Sequence, residues 1–236
     1  MTQGVGVGEG ELMNSYNRTP IKAVLFDVFG TLLDASTDDY LSPFSHLVAP
    51  LNLGVDDQIM LSRMFSTTCL PTIDDAADKI EIMFGDREIS VAARQAAISE
   101  LEQDLARTLP VNGVFRLLPA LRNAGVRIAL VSNLAQPYEK AIHRHKIDKL
   151  ADVLIYSFEV GYRKPEREIY EIALARLGVA AECAVMIGDC EVADGEGPRS
   201  LGIRTRLVQE GFGDNGVSLN KAVQWVLKQL PDARDA

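Results

Sequence analysis

Residues 21–34 read IKAVLFDVFGTLLD. Positions 21–26 form a short apolar run with no polar alternation, the pattern of a parallel strand buried on both faces. Asp27 closes the run and Gly30 follows closely, so the strand is expected to end in a tight turn that carries a carboxylate. Similar runs recur. Residues 127–131 (RIALV) end in Ser132 and Asn133, and residues 184–187 (AVMI) end in Gly188 and Asp189. Residues 153–156 and 203–208 supply two more strands.

Helical patterns lie between these strands: residues 114–123 with Pro119 inside, 137–149 opening on a proline, 166–177 stopping at Gly178, and a last helix N-capped by Ser218 and ended by Pro231. Strands alternating with helices predict an α/β fold, a Rossmann-like parallel sheet with right-handed crossovers. Residues 38–110 break the rhythm. They read as four helices (39–48, 56–65, 74–84 and 90–109) with no strand, so an all-helical cap is expected between the first and second core strands. The division that follows is a flexible Gly-rich tail at 1–19, an α/β core at 20–37 and 111–236, and a cap at 38–110.

The 236 residues are 47% hydrophobic and 24% charged, enough for one sizeable core and a smaller unit. A formal net charge of −9 argues against a nucleic-acid partner, because phosphate backbones are held by clustered Lys and Arg. A small phosphorylated ligand remains compatible, since a few cations in a cleft suffice. Cys69, Cys183 and Cys190 are sparse and show no C-x-x-C spacing, which fits a reducing compartment and unreactive thiols. No apolar stretch approaches the ~20 residues of a membrane span, and the N-terminus has neither the basic nor the apolar part of a signal peptide. A cytoplasmic protein without membrane association is expected, as a monomer or homodimer with a small-molecule substrate.

In open α/β sheets, ligands collect at the carboxyl ends of the strands. The strand assignments put Asp27, Ser132 with Asn133, and Asp189 with Asp194 at those ends. Each alone is the kind of residue that starts a turn or caps a helix; their recurrence at successive strand ends is a stronger signal for a site. Asp27 and Asp189 on neighbouring strands repel unless a cation or proton lies between them, and hard oxygen ligands suit Mg2+.

Asp27-Val28-Phe29-Gly30-Thr31, followed by Leu32-Leu33-Asp34, resembles the first motif of the haloacid dehalogenase superfamily. Leu130-Val131-Ser132-Asn133 resembles its second motif, Arg163-Lys164-Pro165 its third, and Gly188-Asp189 with Asp194 five residues on its fourth. The helical insertion is similar to the family's C1-type cap, and the resemblance runs from about residue 20 to 210. It implies that Asp27 is a nucleophile forming a covalent aspartyl intermediate. Thr31 and Ser132 would hydrogen-bond the nucleophile and the transferring group, and Asn133 would help position that group. Lys164 would neutralise developing charge. The resemblance also implies Mg2+ held by Asp27, Asp189 and the backbone carbonyl of Phe29, with Asp194 bracing that site from behind.

One position departs from the family's phosphatases, which normally carry an acid where this chain has Phe29. A phenyl ring transfers no proton, so a general acid–base contribution of ~10²–10⁴-fold is missing or supplied elsewhere. An aromatic residue there resembles the dehalogenase branch, which works without metal and tends to uncharged residues at the fourth motif, unlike Asp189, Glu191 and Asp194 here. The leading expectation is Mg2+-dependent hydrolysis of a small phosphorylated metabolite. The alternatives are a metal-independent 2-haloacid dehalogenase-type hydrolase and a catalytically weak or inactive metabolite-binding member of the family. The cap is expected to act as a lid, with Arg63, and then Arg87, as its candidate substrate contacts. His143 and His145 read as solvated surface, Trp225 as core and Arg199 as surface.

Overall fold

A computed structural model describes residues 19–34, 42–85, 87–209 and 218–231. A five-stranded sheet runs β5-β4-β1-β6-β7. Its strands are β1 (Ala23–Phe26), β4 (Arg127–Ser132), β5 (Val153–Tyr156), β6 (Ala184–Gly188) and β7 (Arg204–Leu207). All four pairings are parallel, with β1 central between β4 and β6. Every residue of β1 is buried, and alternate residues feed two separate cores. Val24 and Phe26 join Ile128, Leu130, Val185 and Ile187 on one face. Ala23 and Leu25 join Ala129, Val131 and Met186 on the other, beneath the helix Arg167–Leu177. This two-sided burial is why the strands read as unbroken apolar runs.

The helical insertion consists of Ser42–Val48, Val55–Thr67, Ile73–Phe84 and Val91–Arg107. Thr72 and Asp75 form a reciprocal capping box on the third, and Ser90 caps the fourth. Phe44 and Phe65 stack with ring centroids 4.3 Å apart. With Leu47, Leu61, Ile80, Ala97 and Leu101 they extend the core on one face of the sheet. The insertion is not wholly free of strand, contrary to expectation: Leu109–Pro110 (β3) pairs antiparallel with Leu33–Asp34 (β2). Two residues on each side are too short to show a period of two, so the sequence pattern carries no trace of this joint.

The helix expected over 137–149 is broken. A 3₁₀ turn at Gln136–Tyr138 leads into a short helix, Glu139–Arg144, and Lys146 then takes a left-handed φ of 57° before a second 3₁₀ turn at Ile147–Leu150. A residue in that region cannot continue a right-handed helix. The last helix, Leu219–Lys228, is capped by Ser218 as expected and ends at Gln229, before Pro231. The tail at 1–18 and the start of the first insertion helix, expected from residue 39, lie outside the described residues. Among the described residues, no helix is long and apolar enough to cross a membrane.

Candidate active site

The chain leaves β1 at Asp27, whose amide still donates to Ile187 O at 2.9 Å, so the residue is fixed by the sheet ladder. The turn that follows is tied back on itself: the amides of Leu32 and Leu33 both donate to Val28 O at 2.8 Å, and the Gly30 amide donates to Leu33 O at 2.8 Å. Gly30 has φ +87°, and a Cβ there would overlap the Asp189 carboxylate. Glycine is required at this position on both counts.

Lys164 reaches the same point from the loop before the helix Arg167–Leu177. Its ammonium donates to Asp27 Oδ1 at 2.6 Å and to Asp194 Oδ1 at 2.7 Å. All three groups are buried, with Asp27 6%, Lys164 4% and Asp194 1% exposed. Asn133 holds the lysine in place. Its side-chain amide donates to Lys164 O at 2.8 Å, and its carbonyl oxygen accepts from the Lys164 amide at 2.7 Å. Both ends of the Asn133 amide therefore serve the Lys164 main chain. Thr31 Oγ1 donates to Asp27 Oδ2 at 3.3 Å. Ser132 is buried at the end of β4, where it pairs in register with Tyr156.

Asp194 lies in a π-helical stretch, Glu191–Glu196, which folds its carboxyl back over the end of β6. The approach is so close that a Cβ at Gly188 would overlap the carboxyl. Asp194 Oδ2 accepts from the Cys190 amide at 3.1 Å, and the Tyr170 hydroxyl donates to Ala193 O, pinning the stretch to the helix beneath. Asp189 is the exposed member of the three carboxylates. Carboxylate oxygens of Asp27, Asp189 and Asp194 lie within 4.8 Å of one another.

Three carboxylates against one ammonium leave a formal charge of −2. Burial, with the Asp194 and Asp189 carboxylates beside it, pushes the Asp27 carboxyl well above the usual carboxylate range, although Lys164 pulls the other way. Burial also raises Asp189, which remains exposed at its outer side, and Asp194 adds to the effect. For Lys164, burial opposes the charge, but Asp194 and Asp27 outweigh it and hold the ammonium above its ordinary value. A divalent cation with an oxygen preference fits this donor set in sign, size of charge and ligand chemistry.

Phe29 is half-buried against the core, and its ring lies edge-on to Tyr138 with centroids 5.9 Å apart. The Tyr138 hydroxyl donates to Asp104 Oδ2 at 2.8 Å, and Arg107 pairs with Asp104 Oδ1 at 2.7 Å. This chain of contacts was not anticipated. Its one visible signal is an acid on the inward face of the last insertion helix, in step with Ala97 and Leu101. Arg63 pairs with Glu166, which also accepts from the Arg163 amide. The candidate substrate contact thus bridges the insertion to the loop that presents Lys164. Arg87 donates to Leu51 O, within the insertion.

The histidines are not simply solvated. His143 sits between Asp148 (3.1 Å) and Glu139 (3.0 Å), and the two carboxylates outweigh its burial to raise its pKa. His145 and Arg144 donate to Thr108 O, on the linker that returns from the insertion. Trp225 packs at the core margin with Arg206 over its ring, and Arg199 pairs with Glu191 at the surface.

The chain is 28% identical over 195 residues to the tyrosine-protein kinase PtkA of Mycobacterium tuberculosis, covering 80% of this chain and 62% of that protein, so it spans about three fifths of that relative's length. It is 29% identical over 202 residues to a glyceraldehyde 3-phosphate phosphatase from Methanothermobacter thermautotrophicus, covering 80% and 85% of the two chains. Its fold superimposes with a TM-score of 0.58 and 20% identity on a HAD family enzyme of Bacteroides thetaiotaomicron in complex with magnesium and inorganic phosphate, covering 83% and 98%. The family model for haloacid dehalogenase-like hydrolases matches residues 21–202, most of the chain, and the protein belongs to that family.

Proposed function

We propose that this protein is a Mg2+-dependent phosphohydrolase acting on a small phosphorylated metabolite, with Asp27 as its nucleophile. The observation that carries the reading is the buried Lys164 ammonium shared between Asp27 and Asp194, with Asp189 facing the same point. A phosphoryl group is anionic, and a fixed cation beside the attacking carboxylate offsets the charge that develops as phosphorus is transferred. Phosphatases among the relatives support the same reading.

In this reading Asp27, Asp189 and the main-chain carbonyl of Phe29 hold the ion, which when bound supplies Lewis-acid stabilisation of the transferring group. Thr31 orients Asp27 through its Oδ2, and Asn133 sets Lys164 through its main chain. Asp194 anchors the ammonium from the far side, so that Lys164 points at Asp27 and does not relax into solvent. Ser132, at the neighbouring strand end, contacts the phosphoryl oxygens. The insertion at 38–110 acts as a lid, hinged on the β2–β3 pair and latched by Arg63 on Glu166. Metal-independent dehalogenation fits less well, because a formal charge of −2 opposes a carboxylate substrate unless a cation offsets it.

The test is turnover of a phosphometabolite panel and p-nitrophenyl phosphate, with Mg2+ or EDTA, beside Asp27→Asn. Activity that needs both the ion and Asp27 is the expected result; a purified phosphatase activity retained by Asp27→Asn would sink the assignment.

A further inference from the structure

The groups around Asp27 determine what can leave from the phosphorus it attacks. Lys164 Nζ is engaged on both Asp27 and Asp194. Thr31 uses its proton on Asp27 Oδ2. Asp194 has both oxygens occupied, by Lys164 and by the Cys190 amide. Two residues beyond the nucleophile stands a phenyl ring packed edge-on to Tyr138. The nearby Tyr138 hydroxyl donates to Asp104. Asp189 is the carboxylate that the proposed function assigns to the ion. Among the described residues, no acid of this cluster is left to give a proton to a leaving group and take one from water.

We propose that the site acts on phosphoryl anhydrides, such as acyl phosphates, and discriminates against alkyl phosphate esters. This rests on the reading of Asp27 as a nucleophile on phosphorus. In the first step an Asp27 oxygen bonds to phosphorus and the bond from phosphorus to the leaving oxygen breaks. The electron pair departs on a carboxylate or phosphate, which is stable unprotonated at neutral pH. An alkoxide is a far stronger base and needs a proton that Phe29 cannot deliver. In the second step water adds to phosphorus, the bond to Asp27 breaks with its electron pair returning to the carboxylate, and both water protons leave with the phosphate. The missing base slows this step too, so the aspartyl-phosphate accumulates. A positioned acid–base group contributes ~10²–10⁴-fold, and that range sets the size of the discrimination.

The experiment measures kcat/KM of the full chain in Mg2+ buffer across aryl phosphates graded in phenol acidity, with acetyl phosphate and an unactivated alkyl phosphate as end members. Rates are expected to fall steeply as the leaving group becomes more basic, and intact-protein mass spectrometry after acetyl phosphate is expected to show a phosphorylated species absent from Asp27→Asn. Phe29→Asp is expected to flatten the dependence, raising alkyl phosphate turnover by ~10²-fold or more. If that variant does not fold, the wild-type dependence decides alone. A flat wild-type dependence with Asp27-dependent turnover overturns this inference and leaves the proposed function standing. No Asp27-dependent turnover of any phosphate overturns both.

Discussion

Replacing Lys164 by Met keeps a long stem and deletes the charge. The ammonium is 4% exposed and contacts two carboxylates, at 2.6 and 2.7 Å, that are themselves 6% and 1% exposed. Its loss leaves Asp27 and Asp194 facing each other without a counter-ion. Breaking a buried pair from one side costs ~3–5 kcal/mol, far above the ~1 kcal/mol of an ordinary hydrogen bond. For a chain of this size each kcal/mol moves Tm by ~2–4 °C, so metal-free melting is expected to fall by ~6–20 °C. Activity is expected to drop by ~10²–10³-fold in kcat, the loss seen when one fixed donor to developing charge is removed. The assays are thermal melts in EDTA and steady-state turnover in Mg2+. Adding Asp194→Asn removes one orphaned carboxylate, so the double variant should regain stability but not activity. A single-variant melting loss below ~2 °C, with the fold intact by circular dichroism, would refute the reasoning, because it would mean the ammonium is replaceable by solvent.

Gly30→Ala must hold φ +87° and place a methyl on the Asp189 carboxylate; ~1–2 kcal/mol of backbone cost is expected with a larger proportional loss of turnover, checked by melts and kcat/KM together. Tyr138→Phe takes one donor from buried Asp104, so unfolding free energy in urea is expected to fall by ~1–3 kcal/mol. Arg63→Ala breaks a half-exposed pair, so stability should hold within ~1 kcal/mol while KM or kcat shifts through looser closure; unchanged kinetics would remove this contact from the latch. His143 has a folded pKa above its unfolded value, so its ion pairs stabilise fully below the unfolded pKa of 6.5 and are lost as pH rises through the raised one. The Tm gap between wild type and His143→Ala is therefore expected to be widest below pH 6.5 and to narrow as pH rises above it; a gap that stays constant as pH rises contradicts the assignment.

The fold was readable because β1, β4 and β6 are buried on both faces, which forces apolar runs, and because each ends in a residue unsuited to a core. The same logic brought Asp27, Asp189 and Asp194 to one point, where the structure also puts Lys164. What stayed hidden depends on contacts between segments far apart in the chain. Lys164 is 137 residues from Asp27, and periodicity says nothing about which carboxylate a loop lysine will meet. Only resemblance to a known motif singled it out. Asn133 is expected from the resemblance to help position the transferring group, but no sequence pattern shows that its amide turns onto the Lys164 main chain. Tyr138 was lost inside an overlong helix that a left-handed Lys146 interrupts, and the two-residue strands of the joint are shorter than any pattern that could reveal them.

These hidden contacts share a location. Phe29 touches Tyr138, Tyr138 holds Asp104 in the last turn of the insertion, and Arg144 and His145 grip the Thr108 carbonyl just before β3. Just past β3, the Val111 amide donates to Leu32 O within the turn that follows Asp27. The turn that carries Asp27 is thus packed into the β2–β3 joint at the base of the insertion. A side chain at position 29 can reach toward a departing oxygen to exchange a proton, or it can fill the space against Tyr138. It cannot do both, since the first needs a polar group facing the substrate and the second an apolar ring facing the core. In this protein the ring at position 29 packs against Tyr138, and on the proposed reading the demand for a proton is shifted onto the chemistry of whatever leaves.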